Sequence, residues 1–371
     1  MTTESILKKH FPMLRTAEEV MQDIQGNPHL RRQYQTWSEE RQQEFMDICT
    51  GAKGVKMVYD TFFKEIMNPE YTPERVGDFL SVLLNQKVTV LHALPNDTVR
   101  IGAENSLLYT DLVVKLEDGS YANIEIQKIG YLFPGQRAAC YSADLLLRQY
   151  KRERAEAKNV TGKKFSYKDI MPVYTIVLFE HSPQIFHDYP DDYLHYIEAK
   201  SDTGIEVPLL QKYLFIPLDI FKKNVQNKIN IDNKVEAWLW FFSTDVPEDI
   251  LRLIEVYPEY KKMYEEVYQL CLNTEKVVEM FSEELRILDH NTAEYMVDVM
   301  QNEIDSQRSE IVALKQQNEG QQDEIVALKQ QNGGQQDEIA SLKQQNEGQQ
   351  ETIGSLQEEI AYLKAQLEVL K

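Results

Sequence analysis

The C-terminal part of the chain repeats itself, and this repeat permits few folds. Three 14-residue units, Glu310–Asp323, Glu324–Asp337 and Glu338–Glu351, all match EIxxLKQQNxGQQ. Each unit is two heptads long, so Ile311 at position a and Leu314 at position d begin a seam that recurs in every unit. The pattern predicts one long helix that pairs with another helix in a coiled coil.

Apolar and polar pairs alternate along this seam. Isoleucine at a, leucine at d and an asparagine such as Asn318 at a later a position favour a parallel, in-register homodimer. Interior glycines such as Gly320 and Gly333 oppose it, since each costs a helix about 1 kcal/mol relative to alanine. The heptads from Ile353 onward carry apolar residues at every seam position and are predicted to hold the dimer together. The alternative is a solvated, partly frayed tail.

The charge of the chain is unevenly distributed. The formal net charge is −20, and residues 246–371 contain 26 acidic and 11 basic residues. The acidity therefore belongs mainly to the C-terminal part and does not exclude nucleic-acid binding by the rest. Within the rest, Arg137 to Lys168 holds nine basic and three acidic residues. This stretch can follow a DNA backbone without reading its sequence, or it is an exposed loop.

Three cysteines, Cys49, Cys140 and Cys271, form neither a disulfide framework nor a metal-binding spacing, which favours a reducing compartment. The first residues, MTTESILKKHF, lack the apolar core of a signal peptide. No run approaches the roughly 18 apolar residues of a membrane span. We therefore expect a cytoplasmic protein with no membrane partner.

Four segments are predicted from changes in pattern. Residues 1–50 read as a helical lead-in, 51–245 as an α/β domain, 246–292 as an acidic helical region and 293–371 as the coiled coil. Within the α/β domain, the unbroken apolar run Val173–Phe179 predicts a strand buried on both faces.

A predicted β-hairpin, Asp111 to Lys128, contains the candidate site. Polar and apolar residues alternate on both of its strands. A three-residue loop, Asp118 to Ser120, places position 111 opposite 127 and position 113 opposite 125. Asp111, Glu125 and Gln127 then share one face. A two-residue loop would shift the register by one and separate these side chains, and the alternation favours the three-residue loop.

Two carboxylates that converge on one face form a hard-oxygen site suited to Mg²⁺ or Mn²⁺. The backbone carbonyl of Ile126 can complete the set of ligands that Asp111 and Glu125 begin. A metal so held polarises a phosphodiester and lowers the pKa of a bound water. The alternative is a solvated hairpin face with no ligand.

The spacing from Asp111 to Glu125-Ile126-Gln127 resembles the core of the PD-(D/E)xK nucleases. The segments VYDTFFKEIM, FLSVLLNQKV, FPGQRAACYSADLLLRQY and YTIVLFE occur in order around the hairpin. Together they resemble the Rpn family of recombination-promoting nucleases and putative transposases, over roughly residues 51–181.

The resemblance implies an α/β fold of the restriction-endonuclease type, with a mixed sheet flanked by helices. It also implies metal-dependent cleavage of DNA, with Asp111 and Glu125 as metal ligands. Gln127 stands where the superfamily usually has lysine, and glutamine supplies no positive charge. Lys115, on the same predicted face, and Lys64, on the preceding helix, are the candidate replacements. Lys128 is predicted to point to the opposite face.

A helix is predicted after the hairpin, from Gly135 to Tyr150. Its polar residues Arg137, Tyr141 and Arg148 are candidates for contacting DNA or supporting the carboxylates, with helix packing as the alternative. Its buried side is predicted to consist of Ala138–Cys140 and Leu145–Leu147.

Two hypotheses of different classes follow. The first is a metal-dependent DNA endonuclease, dimeric through its coiled coil and associated with recombination or mobile elements. The second is a catalytically degenerate nuclease fold that binds DNA or acts as a coiled-coil scaffold, because Gln127 replaces the usual lysine.

Overall fold

A computed structural model describes residues 5–94, 112–130, 132–157, 164–225 and 233–369. The chain divides into two units, Met1–Asp298 and Val299–Lys371. Among the described helices, none combines the length and the apolar character that crossing a membrane requires.

Along the chain, helices both precede and follow the strands of the sheet. Before the sheet come α1 (Ile6–His10), α2 (Ala17–Gly26), α3 (Pro28–Thr36), α4 (Glu39–Thr50), α5 (Asp60–Ile66) and α6 (Pro73–Leu83). Among and after the strands come α7 (Pro134–Glu156), α8 (Gln184–His187), α9 (Leu218–Val225), α10 (Lys234–Ser243), α11 (Pro247–Val256), α12 (Glu259–Leu270) and α13 (Thr274–Val369).

Local signals fix several of these ends. Thr16 and Glu19 form a capping box at α2, and Pro134 occupies the first turn of α7.

The described strands form one mixed sheet. They are β1 (Val90–Ala93), β2 (Leu112–Leu116), β3 (Tyr121–Ile129), β4 (Val173–His181), β5 (His195–Ile197) and β6 (Gln211–Pro217), in the spatial order β1-β2-β3-β4-β6-β5. The hairpin strands β2 and β3 are antiparallel, whereas β3, β4 and β6 are mutually parallel. A parallel step needs a crossover connection, and α7 supplies it between β3 and β4. The predicted mixed sheet with flanking helices is confirmed, as is the strand at Val173–Phe179.

The register of the hairpin differs from the prediction by two residues. Val113 pairs with Asn123 rather than with Glu125. The loop lies one residue earlier, because Ser120 pairs with Leu116 and its carbonyl accepts a 2.9 Å hydrogen bond from the Leu116 amide. Gly119 has φ of 87°, which a glycine adopts without strain. Because the shift is even, Val113 and Glu125 remain on the same face of the sheet, whereas Asp111 of the predicted shared face lies outside the described residues.

The two faces of the sheet bury different kinds of residue. One face belongs to the main apolar core, where Ala122 and Ile124 of β3 pack with Leu112 and Val114 of β2. The other face lies under α7 and contains two smaller apolar clusters, one around Phe179 and one around Tyr121. The polar row of β3 is on this second face.

The main core draws on three of the predicted segments. Phe45 of α4 and Phe281 of α13 lie with their ring centroids 5.7 Å apart, in the same cluster as the sheet residue Ile124. The predicted division into 1–50, 51–245 and 246–292 stays a prediction.

The second unit is a helical segment, the continuation of α13 from Val299 to Val369. The long helix predicted from the repeats is therefore confirmed. Seam residues Ile311, Leu314, Ile325 and Leu328 expose 51–57 % of their surface.

Candidate metal and nucleic-acid site

Strand β3 carries a row of buried polar side chains. Asn123, Glu125 and Gln127 expose 0 %, 2 % and 3 % of their surface. They alternate with the core residues Ala122 and Ile124, as the period of two requires. The row was predicted on one face, but it is not the solvated face of a hairpin, because α7 covers it.

The side of α7 that faces the sheet contains both polar and apolar residues. Tyr141 and Asp144 are buried, whereas Leu147 is 58 % exposed and Cys140 is also exposed. Of the predicted buried side, Ala138 and Leu145 alone are buried, so that part of the prediction is wrong. The reason lies in what the helix covers: polar partners on β3 favour polar residues on the helix above them.

Three side chains contact the Glu125 carboxylate. Gln127 Nε2 donates a 2.9 Å hydrogen bond to Glu125 Oε1, and Arg137 Nε lies 3.3 Å from the same oxygen. The Tyr141 hydroxyl also hydrogen-bonds this carboxylate. The other oxygen, Oε2, is buried and has no hydrogen-bond partner among the described residues.

Burial raises the pKa of Glu125, and Arg137 with the hydrogen bonds from Gln127 and Tyr141 partly offsets that rise. A carboxylate removed from water disfavours its charged form unless cations or donors compensate. Arg137 keeps 32 % of its side-chain surface exposed and lies 5.4 Å from the Tyr141 ring centroid. The guanidinium therefore links the buried carboxylate to the surface.

The remaining carboxylate of the predicted set, Asp111, lies outside the described residues. Leu112, the next residue in the chain, pairs with Ile124, the residue before Glu125. Within the described part of the chain, no group of three or more His, Cys, Asp or Glu side chains could hold a metal ion.

Comparison with protein families identifies the chain. The family model described as PD-(D/E)XK nuclease family transposase matches residues 57–304, which include the sheet and α7. The protein belongs to this family. Searches of the curated proteins and of the solved structures found no match.

PD-(D/E)XK nucleases typically use divalent metal ions, and the described part of this family member's site fits such an ion. The unpartnered Oε2 of Glu125 is a hard, buried acceptor, and hard oxygen donors are the ligands that Mg²⁺ and Mn²⁺ prefer. The side chain of Ile126 is directed to the main core, and the ligand role predicted for its carbonyl stays a prediction.

The two lysines predicted to supply the charge that Gln127 lacks each pair with a carboxylate other than Glu125. Lys115 pairs in register with Tyr121, four residues before Glu125, and its Nζ lies 3.2 Å from Glu153. Burial lowers the pKa of Lys115, but Glu153 outweighs burial and the net shift is upward. Lys64 Nζ lies 2.7 Å from Asp60 on α5.

Lys128 points away from the polar row, as predicted. It is buried on the main-core side, where its ammonium lies 4.1 Å from the Tyr59 ring centroid and contacts Glu284 of α13. Burial lowers the pKa of Lys128 to about 8.

The basic residues on and beyond α7 form the surface predicted to meet DNA. Arg148 Nε lies 2.7 Å from Asp144, so this predicted DNA contact is largely engaged within the helix. Among the described residues of the same stretch, the exposed bases are Lys151, Arg154, Lys164 and Lys168.

Sequence reasoning missed two buried polar residues beside Glu125, Asn123 and Thr175. Asn123 carried a usable signal, because it is in the same alternating row as Glu125 and Gln127. Thr175, in an otherwise apolar strand, carried a weaker one.

Proposed function

We propose that this PD-(D/E)XK family member is a divalent-metal-dependent DNA endonuclease that acts in recombination or on mobile elements. One observation carries the proposal. Glu125 is a buried carboxylate with an arginine and a glutamine on one oxygen and no described partner on the other. Buried polar atoms are usually paired in native proteins, so the unpartnered Oε2 is an acceptor available to a bound cation.

In this proposal Asp111, Glu125 and the carbonyl of Ile126 hold Mg²⁺ or Mn²⁺. The bound metal supplies Lewis-acid activation of the scissile phosphate and of a water. Gln127 fixes the Glu125 carboxylate by donating to Oε1, which leaves Oε2 for the metal.

Arg137 is the cation we assign in place of the lysine that the wider superfamily usually has. Its guanidinium is always charged, touches the Glu125 carboxylate and is partly open to solvent, so it can meet an incoming phosphate. Lys64 and Lys115 are weaker candidates because Asp60 and Glu153 neutralise them.

The exposed bases after α7 would hold the DNA backbone without reading sequence. Lys151 and Arg154 on the helix, with Lys164 and Lys168 beyond it, provide that charge inside an acidic protein. A DNA substrate and free cysteines are consistent with action in the cytoplasm.

The C-terminal helix is proposed to form a parallel homodimeric coiled coil. Its regularly spaced Ile and Leu side chains are about half exposed, and a second copy presents the same spacing. Replacing Ile353 and Leu356 together with asparagine should convert a dimer to a monomer in light-scattering measurements. An unchanged mass for the full chain would contradict the dimer.

The cleavage assay decides the catalytic part. Purified protein is expected to nick or linearise supercoiled plasmid in Mg²⁺ or Mn²⁺ and to be inactive in EDTA. Asp111→Ala and Glu125→Ala should abolish cleavage. Equal cleavage by all three proteins would remove the assignment. DNA retention with no metal-dependent cleavage by the wild type would favour the degenerate DNA-binding alternative.

A further inference from the structure

Buried polar atoms without partners are concentrated beside Glu125. Of the 15 such side-chain atoms found among the described residues, five belong to Asn123, Glu125, Gln127 and Thr175. Both polar atoms of the Asn123 amide are unpaired, as is the Thr175 hydroxyl, and neither residue has any exposed surface. A native interior rarely leaves so many polar atoms of one patch without a partner.

These residues are neighbours on the sheet. Asn123 and Thr175 are partners in the parallel ladder between β3 and β4. Adjacent strands lie about 4.8 Å apart, and Asn123 and Glu125, two positions apart, are separated by about 6.6 Å along β3. Glu125, Asn123 and Thr175 therefore form one contiguous polar patch under α7.

Apolar residues enclose this patch. Val113, Tyr121 and Leu145 form a cluster towards one end of the sheet, and Val177 and Phe179 belong to another towards the opposite end. The Ser142 hydroxyl of α7 accepts a 3.2 Å hydrogen bond from Gln211. The described residues give the polar atoms of Asn123 and Thr175 no hydrogen-bond partner, which favours a bound group in that role.

The chemistry of the unpaired atoms selects the guest. Three are pure acceptors, namely the oxygens Glu125 Oε2, Gln127 Oε1 and Asn123 Oδ1. One is a donor, Asn123 Nδ2, and the Thr175 hydroxyl serves as either. A neutral water brings as many acceptors as donors. A hydrated cation presents its own positive charge and the protons of its bound waters. It therefore matches a patch with more acceptors than donors better than a neutral water does.

We infer that Asn123 and Thr175 form the inner end of the divalent-cation site, where they fix the cation and its solvent shell against Glu125. The inference rests on the proposed metal-dependent function and adds Asn123 as a positioning residue of the site. Thr175 supports it from the neighbouring strand.

Metal affinity of the full chain tests this inference without any reading of activity. Mn²⁺ binding is measured by calorimetry and by electron paramagnetic resonance on the wild type and single variants. Asn123→Leu should weaken Mn²⁺ binding about tenfold, the size of effect that outer-shell partners of a metal have. Thr175→Val should weaken it in the same direction. Asn123→Asp should tighten it, because the added carboxylate gives the cation a charged oxygen.

Folding does not obscure the result. Asn123→Leu replaces an unpaired amide with an apolar group of similar size, which a dry site tolerates. Ser142→Ala is the control, since Ser142 is a buried polar residue of the helix that covers the patch and already has a protein partner. It should leave Mn²⁺ affinity unchanged.

The outcomes separate this inference from the proposed function. Mn²⁺ binding by the wild type with unchanged affinity in all three variants would overturn the role of Asn123 and leave the nuclease proposal standing. Failure of the wild type to bind Mn²⁺ would overturn both, whereas Mn²⁺ binding without DNA cleavage would overturn only the nuclease proposal. Weaker binding in Asn123→Leu and Thr175→Val, with tighter binding in Asn123→Asp, is the result that the inference requires.

Discussion

Strand β3 carries a buried ionic contact on each of its faces, and the two contacts differ in kind. On the α7 face, Glu125 meets Arg137, which is 32 % exposed, and one carboxylate oxygen lacks a described partner. On the main-core face, the Lys128 and Glu284 side chains expose 5 % and 2 %. The aromatic ring of Tyr59 lies against the lysine.

The difference in exposure distinguishes a contact that solvent can reach from one that only stabilises the fold. The contact under α7 reaches solvent through the partly exposed side chain of Arg137. The contact in the main core has no such opening and joins the strand to the first turns of α13. One face of β3 is therefore suited to bind a ligand, and the other to hold the strand in place. Substitutions on either face of β3, with cleavage and unfolding measured for each, test this difference.

The largest effect is expected from Glu125→Gln. Loss of a metal-ligand charge should lower plasmid cleavage by about 10³-fold, equivalent to about 4 kcal/mol in the barrier. The free energy of unfolding in urea should change by less than about 1 kcal/mol, because the amide fills the same space. Glu153→Gln, which removes a carboxylate of helix α7 itself, is the control and should cleave normally. A large loss of stability in Glu125→Gln would make this face structural.

The converse is expected for Lys128→Met. Removing one member of a buried ion pair strands the other, so the free energy of unfolding should fall by about 3 kcal/mol. Cleavage at a temperature where the variant is folded should change less than threefold in this prediction. Adding Glu284→Leu should recover much of the stability. Lys115→Met, which breaks a more exposed pair on the other face, should cost less than about 1 kcal/mol.

An intermediate effect is expected from Arg137→Ala. Loss of a preorganised charge at the reacting phosphate should lower the rate at saturating DNA by about 10²-fold. Arg137→Lys should restore part of that rate. Arg154→Ala, on the exposed basic surface, should instead weaken DNA binding and reduce its salt dependence while leaving the saturated rate unchanged. Identical behaviour of the two alanine variants would show that Arg137 only binds backbone.

The smallest effect is a pH dependence on the α7 face. Burial raises the pKa of Glu125 above that of an unfolded glutamate, near about 4.3, so the folded state holds its proton to higher pH. The stabilising contribution of that proton is present below the unfolded pKa and is lost as pH rises through the folded pKa. In EDTA, Glu125→Gln should therefore gain stability over the wild type as pH rises from about 4, by about 1.4 kcal/mol per unit of pKa shift. Parallel stability curves would contradict it.

The sequence predicted the faces of β3 well because they depend on a local period. Alternation alone placed Glu125 and Gln127 on one face and Lys128 on the other. The predicted register was wrong by two residues. Whether the three-residue loop spans 117–119 or 118–120 depends on which residue pairs with Leu116, and that residue is Ser120. Alternation is unchanged by an even shift, so it could not detect this error.

Tertiary contacts limited the rest of the prediction. The exposure of Leu147 and burial of Tyr141 follow from the polar surface that α7 covers, which the helix's own sequence does not reveal. The approach of Arg137 to Glu125 likewise depends on how β3 and α7 dock. The local sequence nevertheless supplied Glu125 as a metal-ligand candidate and Arg137 as a candidate for contacting DNA or supporting the carboxylates.

The repeats of the C-terminal helix also constrain how this protein can change in length. One unit of 14 residues adds about 21 Å of helix. Since a unit contains whole heptads, gain or loss of one leaves every following Ile and Leu in phase with those before it. A gene that duplicates or deletes a unit therefore alters the length of the helix in steps while its Ile and Leu positions stay in phase, whereas an insertion that is not a whole number of heptads breaks that phase.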